Sequence, residues 1–255
     1  MEADRNRAIY RAVQDFAAST QSVTSMEELH DAVRDIALWL GFDWFAIVNH
    51  VDFGRVVPSI KVTNYPVEIV GMLRERGLMR DPVLRASERA SIGFSWDQLH
   101  LLVPPREGDD DYMAECAKLG IAMGFTVPNN VPGEILGSCH FAVRDPARLP
   151  RDCFAAAQAV GDFGFEAARR LAAVGEGAQG PVPDPAPLSQ RQRDCLVQVA
   201  RGKSDGVIAE ILGLRPRTVN EYVEAAKRRY VVATRQQLVV RALFRSEISF
   251  SEVLD

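Results

Sequence analysis

Cysteine is scarce in this chain and scattered where it occurs. Cys116, Cys139, Cys153 and Cys195 include no Cys-x-x-Cys pair, which argues against zinc sites and disulfide frameworks and leaves four reduced thiols. Long apolar runs are also missing: none approaches the roughly 18 residues of a membrane span, so no membrane association is expected. The opening stretch MEADRNRAIYR carries charges of both signs and no apolar segment ahead of a small-residue cleavage site. It does not read as a secretory signal, and a cytoplasmic protein is expected. Histidine is sparse too. His30, His50, His100 and His140 sit apart from any Ser or Cys nucleophile motif, and no phosphate-cradling loop is found. Asp109 to Asp111 have no histidine companions and read as a solvated helix start. Neither catalysis, a metal nor a cofactor is therefore expected.

What is present divides the chain in two. Hydrophobic residues make up 47% of its 255 residues and charged residues 25%, enough to bury one or two cores. Between Gly175 and Pro187, the run GEGAQGPVPDPAP packs four prolines and three glycines into a stretch without apolar period. It reads as a linker, extended in its Pro-rich half. Its first six residues match Gly-x-Gly-x-x-Gly, but a dinucleotide fingerprint needs a strand before it and a helix after it, and here an Ala-rich helical pattern precedes and prolines follow. Charge divides at the same place. From Leu188 onward there are 12 Lys/Arg against 8 Asp/Glu, a net +4, which leaves −8 for the rest. Such an asymmetry points to a nucleic-acid partner for the tail.

The first part, residues 1–174, alternates helical and strand patterns. Ile9, Val13, Phe16 and Ala17 share one helical face, and Leu29, Val33, Ile36 and Leu40 share another, opened by a Ser25/Glu28 capping box. The runs DWFAIVNHV, RVVPSIKVTNY, GFTVPNN and EILGSCHFAV are rich in β-branched and aromatic residues. Helical patterns at VEIVGMLRERG and DDYMAECAKLG lie among them, and a long helix near Arg151 to Val174 carries Phe154, Ala157, Val160, Phe163 and Ala167. The fold class expected is α+β, an α-β-α sandwich whose mainly antiparallel sheet is covered on both faces. Asp81 follows apolar sequence and precedes Pro82, which makes it a favoured N-cap before a favoured first residue.

Residues 188–255 read as an all-α domain of four helices. Ser189/Gln192 and Thr234/Gln237 form capping boxes, Ser204 caps a second helix that stops at Gly213, and Pro216 opens a third. The tight connection between the second and third helices predicts a helix-turn-helix, whose third helix enters the major groove of double-stranded DNA.

The residues Leu188, Ser189, Arg191, Leu196, Gly202, Lys203, Ile208, Ala209, Leu212, Thr218, Val219, Val232, Arg235, Gln237 and Ala242 resemble the helix-turn-helix of LuxR-type regulators. Upstream, Tyr65-Pro66, Asp81-Pro82-Val83, Trp96 after IGFS, and GFTVP from Gly124 resemble the acyl-homoserine-lactone-binding domain of the quorum-sensing members. The resemblance implies that Asp81 accepts from a signal's amide N–H, that Tyr65 donates to its acyl carbonyl, and that Trp96 walls the lactone end. It extends the pocket to Ile69, Leu73 and Thr126, and to Ser138 or Cys139 for a further polar contact. For DNA it implies Lys203, Arg215, Arg217, Thr218, Asn220, Glu221, Glu224, Lys227 and Arg228, with a homodimer on a palindromic operator. The long closing helix and the last helix, with Leu238, Val239 and Leu243, are expected to supply the self-complementary faces.

The chain also departs from that pattern. Three residues after Tyr65-Pro66 the family has a Trp that donates to the lactone carbonyl, with an aromatic one turn later; here these are Ile69 and Leu73. Arg74, Arg76 and Arg80 read as a solvated helix face. In the DNA-binding part, Gln192, Tyr222 and Ala225 replace the usual Glu, His and Asn. The expectation is a transcription regulator with atypical recognition of an acyl-homoserine lactone or a variant of one. The alternatives are a ligand-independent regulator and an anti-activator forming heterodimers with a paralogous regulator.

Overall fold

A computed structural model describes residues 2–50, 60–76, 81–131, 136–175 and 187–254. They form two compact units, one built on residues 2–130 and 136–175 and the other on residues 187–254.

The first unit opens with α1 (Glu2–Ser22), which buries Val13, Phe16 and Ala17, and α2 (Met26–Leu40), which buries Leu29, Val33, Ile36 and Leu40. The Ser25 side chain caps α2 by accepting from the Glu28 N–H. The return arm is displaced by one residue: the Glu28 carboxylate accepts from the Thr24 N–H at 2.8 Å rather than from Ser25. Gly41, at φ 100°, ends the helix in the left-handed conformation that a residue with a Cβ adopts at a cost.

Five strands follow: β1 (Trp44–Asn49), β2 (Lys61–Thr63), β3 (Phe94–Ser95), β4 (Met123–Asn129) and β5 (Gly137–Val143). They lie in the order β2-β1-β5-β4-β3, every neighbouring pair antiparallel. Of the expected strand RVVPSIKVTNY, only Lys61–Thr63 is in β2, and residues 55–59 lie outside the described part. The two-residue β3 falls on Phe94-Ser95, where no strand is expected.

Strand alternation assigns the faces. Phe45, Ile47, Phe125, Val127, Cys139 and Phe141 join the core under α1, α2 and α7 (Phe154–Gly175). The approach of α7 is close enough that a Cβ at Gly161 would lie 2.9 Å from Val127, so glycine is needed there. The opposite face carries α3 (Val67–Arg76), α4 (Pro82–Ser87), α5 (Leu99–Leu102) and α6 (Asp109–Lys118) over a second cluster that includes Ile69, Val83, Trp96, Tyr112 and Cys116. The result is an α-β-α sandwich. The three aspartates at the start of α6 are not all solvated: Asp109 is half-buried and pairs with the buried Arg85 at 2.6 Å, while Asp110 and Asp111 are exposed.

The second unit holds α8 (Gln190–Ala200), α9 (Asp205–Leu212), α10 (Pro216–Tyr230), α11 (Arg235–Phe244) and a short α12 (Phe250–Leu254) absent from the sequence-based expectation. Both expected capping boxes form, Ser204 caps α9, and Gly213 closes it at φ 64°. Leu196, Ile208, Val219, Val223, Leu238 and Ile248 make the core. Leu238 is thus wholly engaged inside its own domain, and Val239 and Leu243 pack half-buried against the same core. The apolar side chains that α11 and α12 turn outward are instead Val240, Phe244, Phe250 and Leu254.

Candidate functional site

Between the sheet and the α3–α6 layer lies a cavity of about 90 Å³. Ala46, Val48 and His140 line it from the sheet, Tyr65, Ile69 and Val70 from the start of α3, Asp81, Val83 and Leu84 from α4, and Tyr112, Met113 and Cys116 from α6. Trp96 lines it too, and its indole lies so near Gly124 that a Cβ there would come within 2.7 Å of the ring and 2.5 Å of the Phe141 carbonyl oxygen. This is the physical reason for the glycine of GFTVP. The walls are mostly apolar, with a few polar groups at defined places, the usual make-up of a small-molecule site.

Asp81 is both a helix cap and a wall of the cavity. Its Oδ1 accepts from the Val83 N–H at 2.8 Å, with Pro82 as first residue of α4. Its Oδ2 accepts from the Tyr112 hydroxyl at 2.9 Å. The fold thus supplies this buried carboxylate with two donors of its own. Burial nevertheless pushes the Asp81 carboxyl above its ordinary value, against the opposing effect of the Tyr112 and backbone donors. Burial, followed by the charge of Asp81, likewise raises the phenols of Tyr65 and Tyr112, so both are neutral donors at physiological pH. The Tyr65 hydroxyl has no hydrogen-bond partner among the described residues.

Of the expected ligand residues, the fold brings Tyr65, Ile69, Asp81 and Trp96 to the cavity wall. Leu73 falls on α3, but its side chain lies outside the described part, as do those of Arg74 and Arg76 and the whole of Arg80. Thr126 and Ser138 stand behind the wall, where both bond to His140. Cys139 belongs to the opposite core, because successive residues of a strand face opposite ways. The residue of β5 that reaches the cavity is His140, two beyond Ser138, and alternation along the strand would have indicated it. Tyr112 was also missed, since nothing local in DDDYMAEC ties it to Asp81.

In the second unit the connection between α9 and α10 is three residues, Gly213 to Arg215, as a helix-turn-helix requires. Along α10, Arg217, Asn220, Glu221 and Arg228 are exposed, Thr218 is half-buried, and Lys203 and Arg215 are exposed in the turns before α9 and α10. The carboxylates neutralise part of this surface. Arg217 pairs with Glu221 at 3.1 Å, and Lys227, only 18% exposed, pairs with Glu224 at 2.8 Å. Arg215 and Arg228 have no ion-pair partner among the described residues. Asn220 lies 3.5 Å from Asp205, which also pairs with Arg235.

Taken by themselves, the two units define a small-molecule-binding α-β-α domain joined to a DNA-binding helix-turn-helix domain. Comparison with known proteins agrees with both halves. Residues 25–168 match the autoinducer binding domain and residues 186–242 match the bacterial regulatory proteins of the luxR family. The chain belongs to the LuxR family of autoinducer-binding transcriptional regulators, which are DNA-binding proteins and not enzymes. It is 23% identical over 227 residues to the transcriptional activator protein AhyR of Aeromonas hydrophila, covering 87% of this chain and 86% of that one. In structure it is similar to Escherichia coli SdiA, with a TM-score of 0.67 and 22% identity over 94% of this chain and 98% of that one. SdiA in complex with octanoyl-rac-glycerol gives a TM-score of 0.66 and 21% identity over 92% and 95% of the two chains. No described helix is long and apolar enough to cross a membrane.

Proposed function

We propose that this regulator senses a neutral acyl amphiphile, an acyl-homoserine lactone or a variant of one, in the cavity beneath α3, α4 and α6, and that Asp81 and Tyr65 hold its polar head. The observation that carries the reading is the pairing of a carboxylate having further lone pairs with a phenol that has no partner among the described residues, set in a mostly apolar wall. An amide, which donates and accepts, satisfies both. Ile69 is buried in that wall where an indole would have offered a second donor, so the head is held through fewer hydrogen bonds. Each such loss costs about 1–3 kcal/mol when the partner stays buried and unpaired. A hydroxyl head also fits this donor and acceptor set, and the complex of SdiA with octanoyl-rac-glycerol is an example from a protein of the same fold.

One observation supports the second reading, a regulator that needs no signal. Both oxygens of Asp81 already have donors from the protein, so the carboxylate is stable without a ligand. Thermal shift of the full chain against acyl-homoserine lactones and monoacylglycerols of increasing chain length separates the two. Stabilisation that Asp81→Asn abolishes supports sensing, and a melting temperature indifferent to every probe supports signal independence.

On DNA, the proposal is a homodimer on a palindromic operator, with Lys203, Arg215, Arg217 and Arg228 contacting phosphates and Thr218, Asn220, Glu221 and Glu224 at the reading face of α10. Lys227 adds less than its formal charge, because Glu224 already pairs with it. Val240 and Phe244 on α11 take the place of Leu238, Val239 and Leu243 as the self-complementary face. Sedimentation of the full chain with DNA present tests this: a dimer supports the proposal, a monomer at micromolar concentration overturns it, and a heterodimer with a paralogous regulator would use the same face.

A further inference from the structure

Behind the sheet-side wall of the cavity runs an unbroken chain of buried polar contacts. The Trp96 indole donates to Thr126 Oγ1 at 2.9 Å, and that oxygen lies 2.9 Å from His140 Nδ1. His140 Nε2 is 2.7 Å from Ser138 Oγ, which is 2.7 Å from His50 Nε2. The remaining ring nitrogen of His50 faces the Glu88 carboxylate at 3.6 Å. Thr126, Ser138 and His140 are all buried, and Thr126 and His140 are register partners across β4 and β5.

The direction of this chain follows by elimination. An indole nitrogen only donates, so Thr126 accepts from it, and His140 Nδ1 is the one acceptor that the described residues offer the Thr126 proton. The imidazole proton must therefore sit on Nε2, from which it goes to Ser138, and the Ser138 proton goes on to His50 Nε2. The proton of His50 is left on Nδ1, which lies 3.6 Å from the Glu88 carboxylate and makes no hydrogen bond among the described residues. Every link is used once. A charged His140 would carry N–H on both nitrogens and strand the proton of Thr126. Burial acts in the same sense, holding the imidazole neutral by lowering its pKa to about 3.

This has a direct consequence for the cavity. His140 and Trp96 both line it, yet both ring nitrogens of the one and the single N–H of the other are engaged elsewhere. Their wall offers a ligand only C–H edges and π faces. Free hydrogen-bonding capacity in the lining lies elsewhere, at Tyr65, Asp81 and the Asn49 side-chain oxygen, which has no partner among the described residues.

We infer that His140 is a specificity-determining residue of the cavity: locked as a neutral Nε2–H imidazole, it narrows the sheet-side wall and gives no hydrogen bond to the part of the ligand that lies against it. The class accepted is a neutral amphiphile whose head bonds to Asp81 and Tyr65 and presents no polar group to Trp96 and His140. The inference rests on the sensing reading and adds to it a residue that refuses polar ring atoms.

The test is a matched pair of probes, an N-acyl-homoserine lactone and the N-acyl cyclopentylamide of the same chain length, which lacks the ring carbonyl and ring oxygen. Their dissociation constants are measured on the full-length wild type, Asp81→Asn and His140→Ser. The wild type is expected to bind the lactone no more tightly than the carbocycle. His140→Ser, which opens space and frees a hydroxyl, is expected to shift the ratio about tenfold towards the lactone. A wild-type preference of about tenfold for the lactone, or a ratio unchanged by His140→Ser, overturns the inference and leaves the sensing reading intact. Binding of both probes that Asp81→Asn does not weaken overturns the placement of the head at Asp81, and with it the ligand class inferred here, and no binding by any of the three proteins overturns both readings. Nitrogen NMR of the wild-type imidazoles guards against a variant that does not fold: a proton on His140 Nδ1 at neutral pH overturns the inference by itself.

Discussion

The Tyr112 hydroxyl donates to Oδ2 of Asp81 at 2.9 Å across 31 residues of chain, tying the middle of α6 to the cap of α4. Hydrogen bonds to charged groups contribute about 1.5–3 kcal/mol, so Tyr112→Phe is expected to lower the stability of the unliganded protein by that order. It also leaves one carboxylate oxygen without its donor. The stabilisation produced by an acyl probe, measured by thermal shift, should therefore be larger in the variant than in the wild type.

Asp81→Asn separates the two roles of that carboxylate. Asparagine caps a helix nearly as well as aspartate, so loss of the cap should be small. The amide can still accept from a ligand N–H through its oxygen, but its NH2 competes for the same place and cannot accept. Expected is a melting temperature near that of the wild type without probe and no further rise with one. If the acyl probes stabilise the variant as they do the wild type, Asp81 is a cap alone.

Acid should destabilise the first unit through His140. As pH falls below about 6.5 the unfolded chain takes up a proton on this residue, while the native imidazole stays neutral until about pH 3. Over that window the unfolded state binds more protons, and this group removes up to about 1.4 kcal/mol of stability per pH unit. Asp81 acts oppositely, because its raised native pKa makes the folded state take up a proton first. Denaturant melts between about pH 6.5 and pH 5 should show a shallower loss for His140→Gln than for the wild type.

Among the cations of α10, Arg228 has no ion-pair partner among the described residues, whereas Arg217 is held by Glu221. Arg228→Ala should weaken binding to all DNA sequences and reduce the salt slope by about one. Glu221→Gln should strengthen binding to all sequences by freeing Arg217 for phosphate and removing a negative charge from the DNA-facing surface. Equal salt slopes for wild type and Arg228→Ala would show that this end of α10 lies away from the backbone.

Gly124→Ala sets a Cβ within 2.7 Å of the Trp96 ring and 2.5 Å of the Phe141 carbonyl. The backbone contact cannot yield as a flexible side chain would. Overpacking of this kind costs typically 1–3 kcal/mol. The shift should appear both as a lower denaturation midpoint and as a changed fluorescence of the indole.

The helices were legible wherever a cap and a periodic face coincided, as at Ser189, Ser204 and Thr234. That the sheet is covered on both faces followed from the order of helical and strand patterns along the chain. What escaped was set by contacts distant in sequence. Glu28 finds the Thr24 N–H because the chain turns there, not because the motif asks for it. Tyr112 carries no sign of Asp81, and α12 is too short and weakly patterned to announce itself. The pocket list erred by register: Cys139 and His140 are adjacent in sequence, and a pleated strand sends them to opposite cores.

The short α12 changes what counts as a complete DNA-binding domain. Arg193 on α8 pairs with Glu252 and donates to the Glu247 carbonyl at 2.9 Å, while Arg201 donates to the Glu252 carbonyl at 2.9 Å. Ile248, 1% exposed, seals the core between them. The first helix of the domain is thereby fastened to the last, like a strap drawn round a bundle. A fragment designed by the helix-turn-helix motif and ended after α11 would lose Ile248 and Val253 from its core, so a separable module must run from Leu188 through Leu254.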